Sequence, residues 1–153
     1  MSKMKFSKID KILNDAKRGK MFILVDDEQR ENEGDLIIPA SKVNSKSINF
    51  MAKYGRGLIC LTLCQKQTDK LNLPLMSSHN FSRSKTAFTV SIDAKNGVTT
   101  GISTQDRAKT IKIAIKKNVS SKDLVSPGHV FPIVAKNGGV LVRAGHTEAS
   151  VDI

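Results

Sequence analysis

The sequence predicts the α+β class: a three-layer fold in which a mixed β-sheet carries helices on both faces. Two observations predict it. Apolar residues recur at helical spacing in some segments and form short continuous runs in others, and the two patterns alternate along the chain. With 153 residues, 39% hydrophobic and 25% charged, the composition is that of one globular domain with its own core, read as spanning residues 1–153.

Phe6, Ile9, Ile12, Leu13 and Ala16 recur at helical spacing up to Gly19, which gives an amphipathic first helix with a glycine stop. Met21 to Val25 and Leu36 to Ile38 are apolar runs that read as short strands. Ser45 to Tyr54 reads as a helix with Ile48, Met51 and Ala52 on one face, ended by Gly55. Leu58 to Leu63 is a buried strand by its apolar run, Gln65 to Leu71 a short helix closed by Leu73-Pro74, and the polar stretch Ser77 to Lys85 a loop before a strand from Thr86 to Ile92. Asn96-Gly97 marks a turn. Ser103, followed three residues later by Asp106, is an N-cap signature for a helix through Ala108, Ile111 and Ile115 to about Asn118. A strand Ile133 to Ala135, a turn Lys136 to Gly139 and a strand Val140 to Arg143 follow. Thr147 to Ile153 resembles the first turns of a helix, with no glycine, asparagine or basic last turn to cap it.

Composition excludes several function classes. No apolar stretch reaches membrane-spanning length, and Met1 to Phe6 lacks an apolar leader, so the expected address is the cytoplasm, with no membrane partner. Cys60 and Cys64 are four apart, which matches neither a redox pair nor a zinc knuckle; both are expected to be reduced, packed thiols. The net charge of +11 raises the question of nucleic acid. Its lysines are spread over nearly every segment, with one Tyr and no Trp to stack on bases, so the charge reads as a solvated coat and a non-catalytic basic binding protein is kept only as the alternative.

Against that basic background, six of the fourteen acidic residues fall within residues 26–35, Asp-Asp-Glu-Gln-Arg-Glu-Asn-Glu-Gly-Asp, between the two apolar runs. A charge run is ordinarily a solvated loop. Here only Arg30 is basic among the acids, and carboxylates this dense repel one another unless a cation offsets them; oxygen ligands at a strand end suit Mg²⁺. Residues 143–148, Arg-Ala-Gly-His-Thr-Glu, join a strand to a helix start, where free N–H groups and the Arg143 fork favour an anion. By themselves they equally fit a plain turn with Thr147 as N-cap. His129, between Pro127 and Pro132, stands on stiff backbone suited to an acid or base, though a lone histidine is more often packed or superficial. Thr99 and Thr100 fit capping or strand roles as well as anion binding.

The acidic stretch 26–35, Thr86-Ala87-Phe88-Thr89-Val90, Gly97-Val98-Thr99-Thr100-Gly101, Pro127-Gly128-His129-Val130-Phe131-Pro132 and residues 143–149 together resemble the 3,4-dihydroxy-2-butanone 4-phosphate synthases of riboflavin biosynthesis, from about Phe22 to Ile153. The resemblance implies a lyase that converts D-ribulose 5-phosphate to 3,4-dihydroxy-2-butanone 4-phosphate and formate. It also implies Mg²⁺, for which Mn²⁺ can stand in, and a homodimer whose active sites take residues from both subunits. Carried over position by position, it implies Glu31 and His146 as metal ligands. Arg30, Glu31, Asp35, Thr100 and the run Arg143, Ala144, Gly145, His146, Thr147 would contact the sugar phosphate. Glu33, Asp35 and His129 would take part in proton transfer, with Cys60 lining the pocket. The family continues past the helix starting near Thr147, including a catalytic glutamate, so the uncapped end yields the expectation of a C-terminally truncated domain with impaired turnover.

Overall fold

A computed structural model describes residues 6–153. The segment 1–5, part of the stretch read for a leader, lies outside the described residues. Among the described residues, five α-helices and five strands form a mixed α/β architecture. In the first helix, α1 (Ile9–Lys17), Ala16 is buried, Ile12 and Leu13 are half-buried, and Phe6 and Ile9 face solvent, so the apolar stripe is seated only at its C-terminal end. Gly19, at φ +75°, supplies the left-handed turn after it.

Strands β1 (Phe22–Val25) and β2 (Gly34–Ile37) pair antiparallel, with Phe22 opposite Ile37 and Val25 opposite Gly34. The acidic stretch is therefore the loop and closing end of a hairpin. Helix α2 (Ser45–Phe50) opens with a reciprocal cap: Asn44 Oδ1 accepts from the Ser47 N–H while Ser47 Oγ accepts from the Asn44 N–H. It widens into a π-helical turn, Met51–Gly55, and the left-handed stop is taken by Arg56 at φ 57°, not by Gly55.

The second sheet is mixed. Strand β5 (Leu124–Val134) lies between β3 (Cys60–Leu63), parallel to it, and β4 (Ile92–Ala94), antiparallel. Helix α3 (Gln65–Leu71) follows β3, and α4 (Thr104–Ala114) packs on β4 and β5. Ile48, Leu61, Leu71, Ile92, Ile111 and Val130 meet in the core, with Ile48 fully enclosed. Among the described residues, no helix is long and apolar enough to cross a membrane.

Four expectations change. The strand expected at 86–92 begins only at Ile92, because the preceding backbone divides its hydrogen bonds: Thr89 N–H donates to Pro132 O, but Val90 N–H donates to Pro74 O. Only isolated bridges, Leu75 with Thr89 and Phe88 with Ile133, remain. The strand expected at 133–135 is instead the eleven-residue β5, which runs through both prolines. Pro132 serves there as an acceptor and needs no N–H. The strand expected at 140–143 is a 3₁₀ turn, Gly139–Leu141, because Val140 N–H donates to the Asp152 carboxylate rather than to a ladder. Leu141 is 96% exposed. The helix expected to reach Asn118 stops at Ala114, capped by Ile115.

One feature of β5 places a functional candidate. Between the pairs Ile92–Val130 and Asp93–Val125 its register shifts, so residues 126–129 bulge from the ladder. Gly128 is required there. A Cβ at this position would strike the backbone of Ile92 and Asp93.

The start of α4 depends on Asp106. Ser103 Oγ caps its N–H, as the sequence predicts, while its carboxylate accepts from the Thr99 hydroxyl at 2.7 Å and from the N–H groups of Thr99 and Gly101 at 3.2 Å. The Thr99 hydroxyl, helped by those N–H groups and opposed by burial, holds this carboxyl below its ordinary 3.8. A depressed folded-state pKa contributes stability above the unfolded value that is lost as pH falls through and below it. Asp106→Asn should therefore melt below wild type at pH 7, with the gap closing from about pH 4 downward in paired thermal melts. A gap independent of pH would remove the carboxylate charge from the explanation.

Candidate functional site

The acidic loop is built on its first residue. Asp26, at the end of β1, accepts through Oδ2 from Arg30 Nη1 at 2.8 Å and the Glu31 N–H at 3.1 Å, and through Oδ1 from the Glu33 N–H at 3.0 Å. Burial pushes its carboxyl upward, but the Glu33 and Glu31 N–H groups and the Arg30 guanidinium outweigh that and hold it below the usual carboxylate value. Arg30 also lies 3.1 Å from Glu31 Oε1. The turn thus fixes the Glu31 carboxylate while leaving its second oxygen, Oε2, aimed across the loop.

Facing it is His146, the first residue of α5 (His146–Asp152). The helix starts on Gly145, so Thr147, considered above as N-cap, lies inside the helix and is buried. Glu148, 1% exposed, holds this junction: it accepts from Arg143 Nη1 at 2.6 Å and from the Lys136 N–H at 2.9 Å. Arg143 Nη2 donates in turn to Ser84 O at 3.0 Å. Gly145 lies against both members of the pair, and a side chain there would collide with the guanidinium. Arg143 therefore commits two of its donors within the chain. Ala144 is exposed beside it.

Asp26, Glu31 and His146 each offer one ligand atom, and these atoms lie within 4.8 Å of one another. His146 Nδ1 is 3.9 Å from Glu31 Oε2, outside hydrogen-bond range, and its buried Nε2 has no hydrogen-bond partner. An imidazole left unpaired beside two carboxylates fits a divalent cation. Asp26 is the member of this triad that the sequence reading missed; its place at the junction of strand and loop was the available signal.

A cleft of about 590 Å³ opens beside the triad, between the hairpin, β3 and α5, lined by Asp35, Leu36, Cys60, Thr62, His146 and Thr147 among others. Asp35 is exposed on β2, and Glu33 is exposed at the loop's end. Both cysteines are free and exposed, against the expectation of packed thiols. Cys60 lines this cleft. Desolvation, with a smaller contribution from the Asp35 charge, pushes its thiol up to about 11, so it stays protonated at neutral pH.

His129 and Thr100 belong to a second cluster. His129 projects from the β5 bulge with Nδ1 2.8 Å from Asp93 Oδ2, and its backbone N–H donates to Asp93 Oδ1 at 3.0 Å. Gly101, next to the exposed Thr100, lies directly against Asp93, where any Cβ would strike the carboxylate. Among the described residues no hydrogen bond or ion pair joins the two clusters. Asp93 and Glu148 were also missed by sequence reading, since a buried acid leaves no mark in a local pattern.

Breaking a buried pair strands its partner's charge, which costs about 3–5 kcal/mol, against about 0–1 kcal/mol for an exposed pair. Arg143→Ala should fall in the first range by denaturant unfolding, with Arg143→Lys intermediate. A loss under about 1 kcal/mol would show that Glu148 does not rely on this guanidinium.

Comparison with known proteins bears on the same segments. Residues 10–153 match the family model of 3,4-dihydroxy-2-butanone 4-phosphate synthase. A Photobacterium phosphoreum protein of that name is 55% identical over 150 residues, covering 98% of this chain and 41% of the relative. A crystal structure of 3,4-dihydroxy-2-butanone 4-phosphate synthase in complex with two magnesium ions superposes with TM-score 0.93 at 42% identity, covering 96% of this chain and 68% of that one. A two-domain 3,4-dihydroxy-2-butanone 4-phosphate synthase from A. baumannii gives TM-score 0.91 at 48% identity, covering 95% and 43%. The chain spans about two fifths of the length of the curated relatives it matches. With nearly its whole length matched in sequence and in fold, the chain belongs to the 3,4-dihydroxy-2-butanone 4-phosphate synthase family.

Proposed function

We propose that this chain acts as a lyase on D-ribulose 5-phosphate, giving 3,4-dihydroxy-2-butanone 4-phosphate and formate for riboflavin biosynthesis, with Mg²⁺ or, in its place, Mn²⁺. The observation that carries this reading is the convergence of Asp26, Glu31 and His146, with His146 Nε2 buried and unpaired. A relative solved with two magnesium ions supports the choice of ion. Glu31 and His146 hold the cation in this reading. When bound, Mg²⁺ supplies positive charge that stabilises the anion developing on substrate oxygens during enolisation.

The chain's own groups do the rest. Arg30, fixed by Asp26, presents its guanidinium to the sugar phosphate at the mouth of the loop. The run Arg143 to Thr147 faces the same ligand through its remaining donors. Glu33 and Asp35, both exposed beside the cleft, are free to exchange protons with the substrate, and the protonated Cys60 lines the wall. His129 serves as acid or base through Nε2, since Nδ1 is held by Asp93.

A homodimer belongs to the same reading: the cluster around His129 and Thr100 would complete the partner's site, which gives a use to two clusters unlinked within one chain. So do a cytoplasmic address, a single domain and a three-layer arrangement, supported by α4 against β4 and β5 and by α5 against β3. A polyanion-binding role is disfavoured because the acidic loop would repel nucleic acid.

Formate release from ribulose 5-phosphate, with and without Mg²⁺, tests the activity. Glu31→Gln and His146→Ala should each lose divalent-cation binding, read by Mn²⁺ electron paramagnetic resonance, together with about 10²-fold or more of the turnover. Wild-type Mn²⁺ affinity in Glu31→Gln would take the acidic loop out of the mechanism.

A further inference from the structure

We propose that Asp93 is a positioning residue that fixes the tautomer of His129, so that the imidazole always turns an unprotonated Nε2, or an Nε2–H when charged, toward the reacting ligand. This deepens the function proposed above and rests on it for its catalytic part. Asp93 is 7% exposed on β4, and its two oxygens divide their work. Oδ1 accepts from the His129 backbone N–H at 3.0 Å, and Oδ2 meets the ring at Nδ1 at 2.8 Å. A carboxylate only accepts, so Nδ1 must carry the proton. The same residue therefore sets both where the ring hangs and which nitrogen is free.

The surrounding backbone is shaped for this contact. The bulge at residues 126–129 lifts His129 out of the ladder beside Asp93, with the Gly128 N–H donating to Ser91 Oγ at 3.1 Å. Gly101 and Gly128 both approach so closely that neither could carry a side chain: one abuts the Asp93 carboxylate, the other the Ile92–Asp93 peptide. The His129 ring stays 39% accessible, so the end opposite Asp93 can reach a ligand. A purely structural aspartate would be served by the backbone bond alone.

Asparagine separates the two roles. The backbone N–H of His129 is always a donor and keeps the amide oxygen, which leaves the amide NH₂ facing Nδ1. Nδ1 then has to accept, and the proton moves to Nε2. In ¹⁵N spectra of the three histidines, with His129→Gln as the assignment control, wild type should show the Nδ1–H form at His129. Asp93→Asn should show Nε2–H, and Asp93→Glu, which keeps a carboxylate, should retain Nδ1–H. Turnover in the formate assay should fall about 10²- to 10⁴-fold in Asp93→Asn with KM nearly unchanged, and recover in part in Asp93→Glu. An Nδ1–H ring in Asp93→Asn, or equal turnover in the two variants of an active enzyme, overturns the proposal. If wild type releases no formate, the proposed activity fails by itself and the tautomer measurement still decides whether Asp93 sets the ring.

Discussion

Glu148 is nearly without solvent and carries a charge, and the position of the candidate metal triad follows from how that charge is compensated. Arg143 supplies the counter-charge and the Lys136 N–H a second donor, so one carboxylate joins the exit of β5, the turn after it and the first turn of α5. His146 is two residues from that anchor. The loop across the cleft is tied together in a similar way, since Asp26 gathers Arg30 and two backbone N–H groups before Glu31 is presented. Two buried or half-buried acids, from distant parts of the chain, thus aim a histidine and a glutamate at one point.

The same device recurs. Asp106 gathers the 99–101 turn, Asp93 the His129 backbone, Asp123 the Ser120 N–H and Asp152 the Val140 N–H. In a protein with so few acids and such an excess of lysine, most aspartates are used as acceptors for main-chain donors that would otherwise go unpaired. That leaves Glu28, Glu33 and Asp35, exposed at the hairpin end, as a distinct population, with neither backbone nor lysine to hold them among the described residues.

Much of this was legible in advance where the signal was local. The Ser103 cap, the α3 helix, the acidic hairpin loop and the pairing of Glu31 with His146 follow from residue types, or from the resemblance carried by five segments. What escaped was nonlocal. Pro127 and Pro132 read as stiff backbone ahead of a strand starting at Ile133, yet β5 runs through them because Pro132 is used there as an acceptor and Pro127 lies in the bulge. Val140 to Arg143 has the composition of a strand but no partner for a ladder, and Asp152, a dozen residues on, takes its N–H instead. Asp93 and Glu148 look like any isolated acid until the fold buries them.

The central strand of the sheet follows both of its neighbours in the chain. β5 pairs in parallel with β3, roughly seventy residues earlier, and no shorter connection can stand in for it. During synthesis, β3 and β4 must wait as unpaired edges, with Leu61, Leu63 and Ile92 uncovered, until residues 124–134 have emerged. Long-range pairing of this kind slows folding and exposes apolar strand edges to other chains. The dispersed lysine coat bears on that interval as well as on the finished fold. Like charge along the nascent chain keeps neighbouring copies apart until β5 arrives to close the sheet.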